Sequence, residues 1–213
     1  ILFAWGICAW VSLFITTSLF AGEPTRRPIA VEAKRGMVVC VSPPAAEVGV
    51  GVLRRGGNAV DAATAGALAM AVTFPEAGNI GGGGFMLVRQ ADGQNYFVDF
   101  REEAPGNATT NMYQDAQGNI VKGRSTQGML ASGIPGTVAG LVSAQKRLGK
   151  LTLAQDMAPA IRLAEQGFAL DSSEANGFKR ARNLALFPDS HRVFQRDGNF
   201  YQAGEVFQQP ELA

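Results

Sequence analysis

The residues best suited to chemistry stand at the end of a predicted strand, in the run Asp99-Phe100-Arg101-Glu102. Side chains alternate along a strand, so Phe97, Asp99 and Arg101 should share one face. The guanidinium of Arg101 is a planar fork that binds a carboxylate through two hydrogen bonds. A strand end that opens into a loop often presents functional side chains. From the pattern alone we favour a salt bridge from Arg101 to Asp99 or Glu102, with carboxylate binding as the alternative.

Four consecutive glycines, Gly81 to Gly84, could hold an anion with their backbone amides. A phosphate-binding loop ends in Gly-Lys-Ser/Thr, whereas Phe85 follows here. A dinucleotide-binding loop comes after a strand and before a helix, and this run has the opposite order in the predicted elements. The run therefore indicates a tight connection packed against other backbone.

The remaining candidate side chains are isolated. His191 is the single histidine and follows a polar stretch, so we expect a solvated loop residue. Cys40 lies in an apolar run and is interpreted as a buried strand cysteine without an activating base. One histidine without a cysteine pair does not supply a dedicated zinc site. The sequence therefore predicts no metal and no disulfide within the folded part.

The composition is that of a folded protein with no strong field. The chain has 213 residues, 46% of them hydrophobic, and a formal net charge of +1. This length fits one domain or a large piece of a bigger one. Basic residues come as scattered pairs, so the charge pattern argues against nucleic-acid binding.

The first 22 residues are apolar and uncharged. A secretory signal peptide and an uncleaved N-terminal anchor both fit this pattern, and we favour the signal peptide. Either one would place the rest of the chain outside the cytoplasm. Residues 23–35 are interpreted as a linker and residues 36–213 as the folded part.

The elements that must position Arg101 can be predicted from local signals. The N-terminal half should hold a strand, two helices and a hairpin. Asn58 and Asp61 suggest a capping box on the second helix, which is apolar all round and therefore buried. Asp92-Gly93 is a strong hairpin turn signal. The expected elements of this half are a strand at 36–41, a helix from Ser42 to Gly56, a helix from Asn58 to about Val72, and strands at 85–89 and 94–101.

The second half is mostly helical in pattern. Amphipathic helices are expected at 137–148 and 153–167, and Pro159 could shift the start of the latter. A more polar helix is expected at 170–187, then a helix or extended segment at 201–213. This order predicts an α+β layered fold. Its sheet has too few strands to be complete, which suggests a piece of a larger protein.

Several separated motifs together resemble the gamma-glutamyltransferase family in order and spacing. The resemblance covers residues 35 to 213. The motifs that carry it are Gly36–Val39, Gly56–Ala63, Asn79–Leu87, Asp99–Pro105, Ala131–Gly140 and Gln209–Ala213.

The resemblance implies a fold and an activity that composition does not show. Members are N-terminal nucleophile (Ntn) hydrolases with a four-layer αββα core, made as a precursor that cuts itself into a large and a small subunit. The small subunit's new N-terminal threonine attacks the gamma-glutamyl amide of glutathione and similar compounds. The glutamyl group then passes to water, an amino acid or a peptide, without a cofactor. Members are periplasmic, secreted or membrane-anchored.

One family site residue falls on this chain. Arg101 matches the large-subunit arginine that binds the substrate's α-carboxylate. The nucleophile belongs to a Thr-Thr-His sequence much further along, whereas Thr109-Thr110 is followed by Asn111 and comes too early. Because acyl transfer needs a nucleophile, a base and oxyanion donors together, we expect residues 23–213 alone to be inactive.

Two other functions remain open from the sequence. One is a related Ntn acylase, such as a cephalosporin acylase, which turnover of glutaryl amides against glutathione would reveal. The other is a non-catalytic exported domain that binds glutamate or glutathione, which binding by the isolated chain would favour.

Overall fold

Two helices begin the folded part of the chain, α1 (Pro43–Arg54) and α2 (Ala59–Thr73). The computed structural model describes residues 30–78 and 80–213, and residues 35–213 form one compact unit. The capping box on α2 is confirmed, because the Asn58 side chain accepts the amides of Val60 and Asp61 while the Asp61 carboxylate accepts the amide of Asn58. Both predicted helices therefore form close to their expected bounds.

The start of α1 differs from the prediction in its hydrogen bonding. Ser42 precedes the helix, with Pro43 in the first turn as expected, but its hydroxyl makes no cap hydrogen bond. Instead the Ser42 hydroxyl pairs with the hydroxyl of Thr73, 2.6 Å away, at the end of α2. Both side chains are fully buried. A buried hydroxyl needs a partner, and here that need ties α1 to α2.

The predicted hairpin forms with the predicted turn. Strand β1 (Phe85–Arg89) pairs antiparallel with β2 (Asn95–Asp99), and Phe85 lies opposite Asp99. Gly93 has φ of 87°, a left-handed conformation that favours glycine. Exposed and half-buried side chains alternate along both strands, which confirms the predicted face assignment.

A long turn-rich segment leads from the hairpin to two packed helices. They are α3 (Thr137–Leu148) and α4 (Leu153–Gln166). Pro159 lies inside α4 and does not shift its start, which is fixed by a capping box between Thr152 and Gln155. Ten residues of α2 are buried, and α2 packs against α1, α3 and α4. The predicted burial of α2 is thus confirmed.

The C-terminal part builds a small aromatic core. Phe207 is fully buried and contacts four aromatic rings, those of Phe168, Phe178, Phe194 and Tyr201. In this region, residues 168–169 pair antiparallel with residues 206–207, and residues 195–196 pair antiparallel with residues 199–200. Its elements are β3 (Phe168–Ala169), α5 (Ser172–Arg180), a 3-10 helix (Arg182–Leu186), α6 (Pro188–Phe194), β4 (Gln195–Arg196), β5 (Asn199–Phe200) and β6 (Val206–Phe207).

Three local expectations were wrong. Residues 36–41 pair with no described strand, although exposure alternates over residues 37–41 as in a strand. Cys40 is half-buried in irregular backbone, and its thiol donates to the Ser42 carbonyl. The helix expected at 170–187 divides into α5 and a 3-10 helix. His191 lies on α6 rather than in a loop, although it is exposed as expected.

The described part mixes helices with three two-stranded sheets, so the α+β prediction is confirmed. The predicted leader lies outside the described residues, and export stays a prediction. Among the described residues, no helix is long and apolar enough to cross a membrane.

Candidate functional site

The end of β2 is held in place by backbone pairing beyond the strand itself. The Phe100 amide donates to the Gly84 carbonyl at 3.0 Å, and the Gly84 amide donates back to Phe100 at 3.3 Å. Asp99 Oδ1 accepts the backbone amide of Arg101 at 3.0 Å, which forms an Asx turn. The Asp99 carboxylate therefore shapes the backbone that carries Arg101.

The Phe100 side chain is enclosed by glycines from two other segments. A Cβ on Gly140 would collide with the Phe100 ring, and one on Gly136 would collide with the Phe100 carbonyl. A Cβ on Gly84 would come within 2.9 Å of the ring. The residue just before Arg101 is thus fixed by close contacts with the glycine run and with α3.

A second set of hydrogen bonds fixes the other side of Arg101. The backbone of Glu103 pairs with Ile134 through two hydrogen bonds of 3.2 and 2.8 Å. The buried Gly82 carbonyl accepts the amides of Gly136 and Thr137 at the start of α3. Arg101 accordingly lies on a short segment anchored on both sides. The glycine run packs against this backbone, as the sequence indicated.

The Arg101 side chain itself is exposed and available. Its guanidinium forms no ion pair with any residue in the described part of the chain, Asp99 and Glu102 included. The salt bridge favoured from the pattern alone is therefore wrong. The alternative, an arginine free to bind an anion, is the one compatible with this geometry. A rigid backbone carrying a free guanidinium suits bidentate binding of a carboxylate.

The other sequence candidates lie apart from this segment. His191 is on the surface of α6, and Thr109 and Thr110 are exposed in the turn-rich segment. Within residues 30–78 and 80–213 no three His, Cys, Asp or Glu side chains are grouped to hold a metal ion. The segment that carries Arg101 packs against the glycine run, whereas the side chains of His191, Thr109 and Thr110 lie elsewhere.

Sequence reasoning missed that Phe100, Gly136 and Gly140 anchor this site. The signal was present, because residues four apart on a helix lie on the same face and Gly136 and Gly140 have that spacing. Only the structure shows that Phe100 fills the space they leave.

Comparison with known proteins identifies the class. The family model described as gamma-glutamyltranspeptidase matches residues 45–213. That match covers well over half of the chain. The chain therefore belongs to the gamma-glutamyltranspeptidase family, as its motifs suggested.

Individual relatives agree with this family. The chain is 46% identical over 190 residues to a glutathione hydrolase proenzyme of Pseudomonas sp. (strain A14), covering 86% of this chain and 32% of that protein. It is 44% identical over 185 residues to the glutathione hydrolase proenzyme of Escherichia coli K12, again covering 86% of this chain and 32% of the relative. It thus spans about a third of the length of these curated relatives.

The fold agrees as well. The structure superimposes on the crystal structure of Helicobacter pylori gamma-glutamyltranspeptidase with a TM-score of 0.83 and 44% sequence identity. The match covers 86% of this chain and 53% of that one. The predicted fold class, part of an Ntn hydrolase, is confirmed by this likeness.

Proposed function

We propose that this chain forms the part of a gamma-glutamyltransferase that recognises the γ-glutamyl group of glutathione and related compounds. The observation that carries the proposal is the free, exposed guanidinium of Arg101 on its doubly anchored segment. Family membership supports the reaction class, and the similarity to glutathione hydrolase proenzymes supports glutathione as substrate.

Arg101 would bind the substrate's α-carboxylate. A γ-glutamyl group has its free α-carboxylate several bonds away from the amide that is cleaved. A charge-assisted fork on that carboxylate fixes the position of the distant amide and lowers the entropic part of the barrier. The anchored backbone matters because a displacement of about 1 Å can cost a large part of such an advantage.

The attacking group would come from another part of the protein. We assign no nucleophile to the described residues, since Thr109 and Thr110 are followed by Asn111 and come too early in the chain to match the nucleophile of the family. The resemblance supplies a threonine of a small subunit made from the same precursor. Water, an amino acid or a peptide would accept the glutamyl group.

The exposed face of the hairpin supports a covering partner of this kind. Phe85, Leu87 and Phe97 are 54%, 76% and 64% exposed, and the two phenyl rings stack with centroids 5.8 Å apart. We call these three residues the hairpin face. Exposed apolar clusters of this kind mark contact surfaces, and we propose that the small subunit covers it.

Arg101 variants of the full-length protein test the proposal with two substrates. One is a γ-glutamyl anilide, and the other is the same compound with its α-carboxylate converted to an amide. A hydrogen bond to a charged group contributes about 1.5–3 kcal/mol, so Arg101→Gln should lower kcat/KM for the carboxylate substrate by about 10- to 100-fold. Arg101→Lys should fall between wild type and Arg101→Gln, because lysine keeps the charge and loses the fork.

Arg147→Gln is the control, since Arg147 is an exposed arginine in the last turn of α3, outside the hairpin, and this variant should keep the turnover of wild type. Wild type and Arg101→Gln should differ little on the amide substrate. Equal losses on both substrates would mean that Arg101 acts only on the fold. Residues 23–213 expressed alone should turn over neither compound.

A further inference from the structure

Two aspartates from different helices meet in the interior, away from Arg101. Asp61 belongs to the first turn of α2, and Asp156 belongs to the first turn of α4. Both residues are 0% exposed. Two buried carboxylates cannot both be ionised side by side without a large cost. Their hydrogen bonds therefore decide where the charge resides.

The Asp61 carboxylate accepts four hydrogen bonds from backbone amides. It accepts the backbone amide of Asn58 at 2.8 Å, that of Lys150 at 3.0 and 2.9 Å, and that of Leu151 at 3.2 Å. A carboxylate that accepts several amide hydrogen bonds is stabilised in its charged form. Asp61 thereby holds the α3–α4 connection against the start of α2.

Asp156 has the opposite surroundings. Neither of its carboxyl oxygens accepts a hydrogen bond within the described part of the chain. Its polar neighbours are Asp61 on α2 and Gln145 on α3, and the Gln145 amide donates instead to the Leu151 carbonyl. An ionised, unpartnered carboxylate in this place would be costly, whereas a protonated one can donate to Asp61.

The surroundings of the two aspartates favour a protonated Asp156. The pKa of Asp156 is raised to about 6, first by burial and then by the negative charge and hydrogen bonding of Asp61. Gln145 and the positive charge of Arg55, just after α1, act in the opposite direction. Arg55 and Lys150 are both exposed, so neither forms a buried counter-ion.

We propose that Asp61 and Asp156 share one proton in the folded protein, and that this proton stabilises the packing of α4 against α2. The proton belongs to the pair, with Asp156 as donor and Asp61 as acceptor. Loss of the proton leaves two buried negative charges in contact and weakens the packing of the two helices. The fold thus contains a pH-sensitive contact that is independent of the proposed substrate site.

The direction of the pH effect follows from the shift. Asp156 binds its proton more tightly when folded than at its ordinary pKa of 3.8, so proton binding favours the folded state. The contribution is fully present below about pH 3.8, declines as pH rises, and is lost above about pH 6. Removing the titratable group should remove this decline.

The test compares the melting temperature of wild type and Asp156→Asn in the full chain between pH 4 and 7. Asparagine keeps the shape and can donate a hydrogen bond to Asp61. The wild-type melting temperature should fall relative to the variant by on the order of 5 °C across this range. Asp197→Asn makes the same chemical change at an exposed turn and should run parallel to wild type.

Infrared difference spectra detect the proton directly. A protonated carboxyl band should be present at pH 5, disappear by pH 7.5, and be missing in Asp156→Asn. The pKa of Glu174 is also raised by burial, so Glu174→Gln should retain the band. If Asp156→Asn does not fold, the presence or absence of the protonated carboxyl band in Glu174→Gln tests the proposal. Parallel melting curves for wild type and Asp156→Asn, no band at pH 5, or its loss in Glu174→Gln would overturn the proposal.

Discussion

At the scale of single residues, the position of Arg101 depends on the absence of side chains around it. Gly83, Gly136 and Gly140 bring backbone close to Phe100 and Glu102, and a Cβ at each would overlap those residues. Gly81 stands in the same run, yet a Cβ there would meet no described atom within 4 Å. The position of Gly83 therefore excludes a side chain, whereas the position of Gly81 has room for one.

We predict that Gly83→Ala destabilises the protein and impairs substrate binding, while Gly81→Ala does neither. A Cβ at Gly83 would lie 2.6 Å from both the Glu102 amide nitrogen and the Phe100 carbonyl oxygen. Overpacking of this kind costs about 1–3 kcal/mol, and the backbone shift would move Arg101. Urea denaturation and KM for a γ-glutamyl anilide measure the two effects. Similar results for both variants would contradict the assignment.

At the scale of elements, helix caps here also join helices to one another. Asn58 caps α2 through its side-chain oxygen, and its side-chain amide donates to the Leu148 carbonyl at the end of α3, 2.7 Å away. Thr152 caps α4 with a capping box that involves only its own helix. The two caps differ in this one long-range contact.

Asn58→Ala should therefore destabilise the protein more than Thr152→Ala. A lost cap costs about 1 kcal/mol, and the lost contact with Leu148 adds about 1 kcal/mol. Free energies of unfolding from denaturant titrations of both variants measure the difference. Equal values would show that the contact with Leu148 contributes nothing to stability.

At the level of the whole molecule, part of the apolar surface formed by the described residues is exposed to solvent. Leu87 and Phe97 of the hairpin face are exposed, and neither outer edge of the β1–β2 sheet pairs with another strand among the described residues. Such edges and apolar faces are prone to association unless they are covered. The curated relatives are about three times as long as this chain.

Leu87→Lys should act in opposite ways in two contexts. In residues 36–213 expressed alone it should reduce self-association, measured by light scattering, because it removes exposed apolar surface. In the full-length protein it should reduce the yield of the processed two-subunit form on denaturing gels, because a buried lysine opposes assembly. Leu186 is 64% exposed on a different element, and Leu186→Lys is the control that should not lower this yield. Normal processing of Leu87→Lys would argue against a covered hairpin face.

Most of the helices, the hairpin and the family could be predicted from the sequence alone. The capping box of Asn58 and Asp61, the Asp92-Gly93 turn and the apolar pattern of α2 depend on residues only a few positions apart, so local sequence specifies them. It failed at residues 36–41, because a strand needs a partner strand that local pattern does not supply.

The partners of the charged groups depend on tertiary packing and could not be predicted from the sequence. Asp99 turns its carboxylate to the Arg101 backbone, which leaves the guanidinium free. Asp61 and Asp156 meet although they begin different helices. The physical reason is the same in both cases. A charged side chain's partner and protonation depend on which distant segments pack around it, and residue type or spacing does not specify that packing.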